Sequence, residues 1–283
     1  MRAEGRATER EFHFSENDFQ RVRKLIYKHA GISLSNAKSD MVYSRLARRL
    51  RVVDMSSFNE YLNQLEATSD EREWEAFTNC LTTNLTSFFR ESHHFPILQE
   101  HLKSIKQPIT IWCSASSTGE EPYSIAMAAC EVFNTLKPPV QIIASDIDTN
   151  VLKTAAQGVY AMERIEKMDP ALCKKYLLRG VGANAGFVRV RDELRQMIQY
   201  MPLNLLDEKW PLTGPFDIIF CRNVMIYFDK ATQATILNRF APLMKPDALL
   251  FGGHSENFLY VTNAFKLRGK TVYELNAQQR TVV

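Results

Sequence analysis

Three polar segments, each ending a buried-looking apolar run, hold residue types that can grip a ligand. Ser114 to Pro122 (SASSTGEEP) follows the run Ile109 to Cys113 and precedes a helical pattern containing Ile125, Met127, Ala128 and Val132. In doubly wound α/β folds ligands bind at the carboxyl ends of the strands, so this loop is a candidate seat for a nucleotide-type cofactor. Thr118 followed by Glu121 also reads as a capping box, which needs no ligand. Ser145 to Asp148 (SDID) ends the next run. A carboxylate there can accept both hydroxyls of a ribose, and Asp146, 27 positions after Gly119, is the candidate. Asp148, just ahead of a helix starting near Thr149, suits a helix cap instead. Cys221 to Phe228 (CRNVMIYF) ends a third run, where Arg222 and Asn223 interrupt apolar surroundings and need partners. Asn223 can equally be a turn residue, with Tyr227 and Phe228 in the core; for Phe228 alone that reading is a serious rival.

Two further segments carry charge. Leu81 to Glu91 (LTTNLTSFFRE) interleaves Leu85, Phe88 and Phe89 with Asn84, Thr86 and Arg90. It is expected to pack its apolar residues on the α/β domain while presenting the polar ones, a structural hinge being the alternative. Lys38 to Arg51 (KSDMVYSRLARRLR) forms a basic helix. At 100° per residue Arg45, Arg48 and Arg49 share a face beside the apolar stripe Val42, Leu46, Leu50 and Val53. Four arginines and a lysine against the single acid Asp40 favour an acidic partner over a merely solvated face.

The elements that must position these residues fall into two rhythms. The first ninety residues are helical throughout. One helix starts at Ser15 and Asp18 and stops at Gly31, and others span about Lys38 to Val53, Ser57 to Ala67, and Asp70 to Leu81. From Pro108, short β-branched runs at Ile109–Cys113, Val140–Ala144, Phe216–Phe220 and Ala248–Phe251 alternate with helical patterns, the mark of a mostly parallel sheet. Lys266 to Leu275 reads as one final strand near an edge. Gly158 to Gln199 is too long for a simple connection and reads as an inserted lobe, in which Phe187 to Arg191 alternates as a half-exposed strand.

Length and composition narrow the classes. The 283 residues allow two modest domains, and 45% hydrophobic with 24% charged residues is ordinary globular composition. The five cysteines are scattered and never in C-x-x-C spacing, which indicates neither a disulfide framework nor a metal site and fits a reducing cytoplasm. Arg2, Glu4, Arg6, Glu9, Arg10 and Glu11 open the chain with no apolar stretch behind them, unlike a secretory signal. No apolar run approaches a membrane span, and a net charge of +3 implies no polyanionic partner by itself.

Taken in order, the runs Thr82 to Glu91, Ser116 to Ile125, Ala144 to Asp148, Cys221 to Asp229 and Gly253 to Phe258 (GHSENF) resemble the motifs of the CheR family, the chemotaxis receptor glutamate methyltransferases of bacteria. The resemblance covers about Phe14 to Leu275. It implies an all-α N-terminal domain over 1–83, an interdomain segment and helix over 84–107, and an α/β, Rossmann-like class I methyltransferase domain over 108–283. A small antiparallel β-subdomain is inserted in the last at about 159–199. The implied cofactor is S-adenosylmethionine, leaving S-adenosylhomocysteine, and the implied product is a glutamate γ-methyl ester.

By motif position, Asn84, Thr86 and Arg90 would contact the cofactor together with Glu121, Asp146, Asn204, Leu205, Arg222 and Asn223. A glutamate is already ionised at neutral pH, so the chemistry needs alignment rather than a strong base. Arg90 and Tyr227 are the expected catalytic pair that orients the carboxylate. Arg45, Arg48, Arg49 and Arg51 would meet the cytoplasmic helices of transmembrane chemoreceptors. Arg179 and Arg189, around the loop Gly180 to Gly186, would hold a receptor C-terminal peptide by strand addition. A cytoplasmic monomer without nucleic-acid binding or membrane insertion is expected. The first loop has a single glycine where G-x-G-x-G is common among Rossmann-like methyltransferases, a departure the chemotaxis family shares. A nucleic-acid methyltransferase is the rival enzyme, opposed by Arg222-Asn223-Val224 in place of an Asn/Asp-Pro-Pro-aromatic motif. An S-adenosylmethionine-sensing adaptor without turnover is the other rival, opposed by the intact Arg90 and Tyr227.

Overall fold

The computed structural model describes residues 10–277, so Arg2, Glu4, Arg6 and Glu9 lie outside the described residues. The chain divides into two compact units, Met1–Thr82 and Thr83–Val283.

The first unit packs four helices: α1 (Glu16–Ala30), α2 (Ser39–Val52), α3 (Phe58–Ala67) and α4 (Glu71–Leu81). Three of them start where a short polar side chain can satisfy an orphan N–H. Ser15 and Asp18 form a capping box on α1, Ser57 accepts from Glu60 N–H, and Asp70 accepts from Arg72 N–H. α1 ends on Gly31 at φ 68°, the left-handed cap that glycine adopts without strain. Phe19, Val22 and Ile26 of α1 are buried, as are Val42, Leu46 and Leu50 of α2, Phe58 and Tyr61 of α3 and Phe77 of α4.

The basic face of α2 is largely balanced from elsewhere, contrary to the count along one helix. Arg49 forms an ion pair with Glu73, which also accepts from Tyr61 Oη at 2.8 Å. Arg51 pairs with Glu11 at 2.5 Å, and Arg45 donates to the Thr82 carbonyl oxygen at 2.5 Å. Asp40 is taken by Arg10. Of the four arginines only Arg48 is exposed with no ion pair or hydrogen bond among the described residues. The balancing acids lie 24 and 40 positions away in sequence, where helical periodicity cannot reveal them.

The second unit opens with α5 (His94–Ser104) and alternates β1 (Ile109–Cys113), α6 (Glu120–Phe133), β2 (Val140–Asp146) and α7 (Thr149–Gln157). An insertion follows, holding β3 (Val159–Ala161), α8 (Pro170–Tyr176), β4 (Leu177–Arg179), β5 (Phe187–Val190) and α9 (Asp192–Arg195). The chain then returns through β6 (Ile198–Pro202), β7 (Phe216–Cys221), α10 (Lys230–Phe240), β8 (Met244–Gly252), β9 (Phe265–Gly269) and β10 (Val272–Leu275). The main sheet has the order β6-β2-β1-β7-β8-β10-β9, parallel through β8 and antiparallel at β10 and β9. β7 is buried at all six positions, as a central parallel strand covered on both faces must be.

Two boundaries differ from expectation. Lys266 to Leu275 is a hairpin, not one strand, because Lys270 and Thr271 turn the chain with φ 51° and 56°. The insertion ends before Ile198, since Ile198 and Gln199 pair with Ile142 and Ile143 in the main sheet. Within it, β3-β5-β4 form a separate antiparallel sheet in which Val188 and Val190 are buried while Phe187 and Arg189 face out.

Replacing Arg49 by alanine leaves the Glu73 carboxylate in a half-buried setting with the Tyr61 hydroxyl and without its counter-charge. Urea unfolding should show a loss of about 1–3 kcal/mol for Arg49→Ala and no measurable change for Arg48→Ala. Equal effects would mean that the Glu73 pairing does not stabilise the helical unit.

Candidate active site

The pairing register brings the carboxyl ends of four strands together: Cys113 lies opposite Ala144 and Phe220, and Cys221 opposite Gly252. Their tips are tied crosswise. Trp112 Nε1 donates to Ser145 Oγ at 2.9 Å, Ser145 Oγ donates to the Ser114 carbonyl oxygen, and Ser116 N–H donates to the Ser145 carbonyl oxygen. The loop after β1 then turns sharply, with Ser117 at φ 48° and Gly119 at φ 98°. A Cβ on Gly119 would lie 2.8 Å from both Ala155 Cβ and Tyr160 Oη, so this one glycine permits the close approach of α6 to α7.

The expected Thr118–Glu121 capping box is absent. The N-cap of α6 is Gly119 itself, and Thr118 Oγ1 donates to Glu120, which forms an ion pair with Arg164. Glu121 is thereby free to turn into the strand ends, where it accepts from Arg222 at 2.8 Å and from the Cys113 thiol at 3.1 Å.

Asp146 accepts from Ser117 N–H at 2.8 Å and Asp148 N–H at 3.0 Å, and burial lifts its pKa to about 6. Asp148 caps α7 through the N–H groups of Asn150 and Val151 and also accepts from Asn84 Nδ2 at 2.7 Å. Ser117 Oγ donates to the Asn84 carbonyl oxygen, fixing that residue in the same corner. Asn204 follows β6 by way of Leu203, whose N–H donates to the Asp146 carbonyl oxygen. The Leu205 side chain is buried in the core, leaving its backbone for any contact.

Arg222 is 4% exposed, the most enclosed guanidinium of the site. It lies 2.8 Å from Glu121 and 3.3 Å from Glu91 and donates to the Arg90 carbonyl oxygen. Burial holds Glu121 above the usual carboxylate range despite Arg222. For Glu91, burial is outweighed by the His254 N–H, Arg222 and Asn223, and its pKa falls. Asn223 has both roles open to it from sequence: it sits at φ 58° and its Nδ2 donates to Glu91 at 3.2 Å.

A buried carboxylate braces this turn. Glu256 accepts from the N–H groups of Asn223 (2.9 Å), Met225 (2.8 Å) and Gly253 (2.5 Å), and a Cβ on Gly253 would lie 2.6 Å from it. The short turn Met225–Tyr227 presents Tyr227 partly exposed and sends Phe228 into the core. Arg90, partly exposed, donates to the Leu85 carbonyl oxygen at 2.7 Å. Leu85 itself is 75% exposed and does not pack as expected, because residues 82–87 form no regular element that could keep an alternation; Phe88 and Phe89 do pack on the core. Thr86 is partly exposed. Arg179 and Arg189 belong to the inserted sheet, and the α2 arginines belong to the first unit. Glu91 and Glu256 were assigned no role from sequence, although each is the acid inside a quoted run.

Several buried side-chain atoms in this corner have no hydrogen-bond partner: Ser114 Oγ, Ser116 Oγ and Arg222 Nε, while Glu91 Oε2 has only its 3.3 Å ion pair with Arg222. Such atoms at strand ends are what a polar, partly charged ligand satisfies. Residues 84–274 match the model of the CheR methyltransferase SAM binding domain, and residues 17–82 match the CheR methyltransferase all-alpha domain. The chain belongs to the CheR methyltransferase family. It is 51% identical to a chemotaxis protein methyltransferase of Escherichia coli (strain K12), over 93% of this chain and 92% of that one. It is 52% identical to the Klebsiella aerogenes protein of that name, over 94% and 91%. Chemotaxis protein methyltransferase 2 of Pseudomonas aeruginosa is 50% identical over 93% and 94%. This CheR chain is an S-adenosylmethionine-dependent methyltransferase, and the orphaned donors and acceptors beside Asp146 and Arg222 fit such a cofactor.

Glu256→Gln points an amide NH₂ at backbone N–H groups that now donate to a carboxylate. Stability should fall by about 1–3 kcal/mol, and turnover should fall with it because Arg222, Asn223 and Tyr227 ride on the braced turn. Unfolding curves and S-adenosylhomocysteine release measure the two; unchanged values would remove Glu256 as the brace.

Proposed function

We propose that this enzyme methylates glutamate side chains on the cytoplasmic helices of bacterial chemoreceptors, forming γ-methyl esters. The relatives are chemotaxis protein methyltransferases. The observation that carries the choice of acceptor is the charge distribution at the site. Arg222 already has two carboxylates, whereas Arg90 has the Leu85 carbonyl oxygen and no ion pair among the described residues. An incoming carboxylate supplies the missing negative charge.

S-adenosylmethionine, when bound, supplies a methyl group on a positively charged sulfur. In this reading Asp146 accepts the ribose hydroxyls, with Asn84 and Asn204 beside it and the backbone of Leu205 close by. Glu121, Arg222 and Asn223 hold the polar amino-acid end, with Thr86 at the rim. Arg90 and Tyr227 orient the substrate carboxylate, which is ionised at neutral pH and needs no base. The chain's contribution is alignment in a water-poor pocket.

Receptor recognition narrows on α2. Arg45 and Arg49 hold the helical unit together, so Arg48, and Arg51 by exchange of its exposed Glu11 partner, remain for acidic receptor helices. Peptide capture on the inserted sheet narrows likewise. β4 is an outer strand with Arg179 exposed at its end, while Arg189 lies in the central strand and is paired with Asp192. Among the described residues no helix is long and apolar enough to cross a membrane.

Labelled S-adenosylmethionine supplied with chemoreceptor-containing membranes should give label that alkali releases as methanol. Arg90→Ala should lower kcat by about 10²-fold at saturating S-adenosylmethionine. Alkali-stable label, or an Arg90→Ala enzyme with native turnover, would contradict the reading.

A further inference from the structure

The segment Glu91 to His94, leading into α5, gathers ligand-type side chains beside the Arg222 cluster. Glu91, His93 and His94 each bring one ligand-type atom within 4.8 Å of the others. His94 is fully buried, and its Nε2 lies 2.8 Å from the Lys270 carbonyl oxygen. A carbonyl can only accept, so that contact assigns the proton to Nε2 and leaves Nδ1 as a bare lone pair. Nδ1 has no hydrogen-bond partner and lies 3.7 Å from Glu91 Oε2, whose other neighbour is the Arg222 guanidinium at 3.3 Å. Two buried acceptors pointed at each other are an unfavourable pair that a cation between them makes favourable.

We propose that Glu91 Oε2, His94 Nδ1 and a ring nitrogen of His93 form a binding site for a divalent first-row transition cation of the Zn²⁺ type. Nitrogen and oxygen ligands sit about 2.0–2.1 Å from Zn²⁺, which puts neighbouring ligands of a tetrahedral set about 3.4 Å apart. The 3.7 Å gap therefore needs a contraction of only a few tenths of an ångström. His93 is partly exposed, with its ring 4.3 Å from that of His94, and can swing to complete the set. Cysteine spacing, which indicates no metal site, is blind to a Glu-x-His-His group of this kind.

Co²⁺ titrated into the purified full-length chain should bind one equivalent, with visible d–d absorption that Zn²⁺ displaces. Because His94 is buried, the partly exposed His93 carries the mutational test: His93→Ala should weaken Co²⁺ binding by about tenfold or more with the unfolding midpoint unchanged in metal-free buffer. No absorption at saturating Co²⁺, or native affinity in His93→Ala and in Glu91→Gln, would overturn the site.

Discussion

A guanidinium withdrawn from water organises the catalytic unit. Desolvating a charge costs several kcal/mol unless ionic and hydrogen-bonding partners replace the lost solvent. Arg222, at the end of β7, therefore has to be ringed by acceptors, and the chain provides them from separate places: Glu121 from the first turn of α6, Glu91 from the segment before α5, and the carbonyl oxygen of Arg90. The geometry of the neighbourhood follows from meeting that demand. Phe89 and Glu91 take left-handed backbone conformations at φ 51° and 54°, and Asn223 does so at 58°. Such conformations persist for residues other than glycine only where the surroundings over-determine them. Here the ion cluster and the Glu256 brace supply that determination.

The same cluster sets the electrostatics of the methyltransferase site. Two carboxylates bound to one cation titrate in opposite directions: Glu121, held against burial mainly by Arg222, stays high, while the richer hydrogen bonding of Glu91 brings it down. Asp146, across the strand ends, is lifted by burial to about 6. With Arg222 balanced internally, Arg90 is left facing outward with its charge available. A carboxylate nucleophile needs orientation and the exclusion of water rather than deprotonation, and a site built from fixed charges, capped helix ends and braced turns is suited to that task.

What could be read from sequence was local. The four inner parallel strands β2, β1, β7 and β8 were legible because parallel strands buried on both faces are runs of apolar residues, and the caps at Ser15, Ser57, Asp70 and Asp148 were legible because capping acts within three residues. The misreadings share a cause in interactions between residues far apart. Thr118 and Glu121 have capping-box spacing, yet Gly119 takes the cap and Arg222, a hundred positions away, claims Glu121. The α2 arginines looked unbalanced because Glu11 and Glu73 are distant in sequence. Ile198 and Gln199 read as lobe until their pairing with β2 is seen. Family motifs pointed to Arg222, Asn223 and Asp146 as a group, but not to the half-buried Glu91 and the buried Glu256 that hold Arg222 and Asn223 in place.

A double-mutant cycle on Arg222 and Glu121, using Arg222→Met, Glu121→Gln and the double variant with S-adenosylhomocysteine affinity as the readout, tests the cluster most directly. If the buried ion cluster sets the cofactor site, the two single losses are strongly non-additive, with a coupling of about 1–3 kcal/mol. Additive losses would show that Arg222 and Glu121 act on the cofactor independently, and the cluster would not be the constraint on which the site depends.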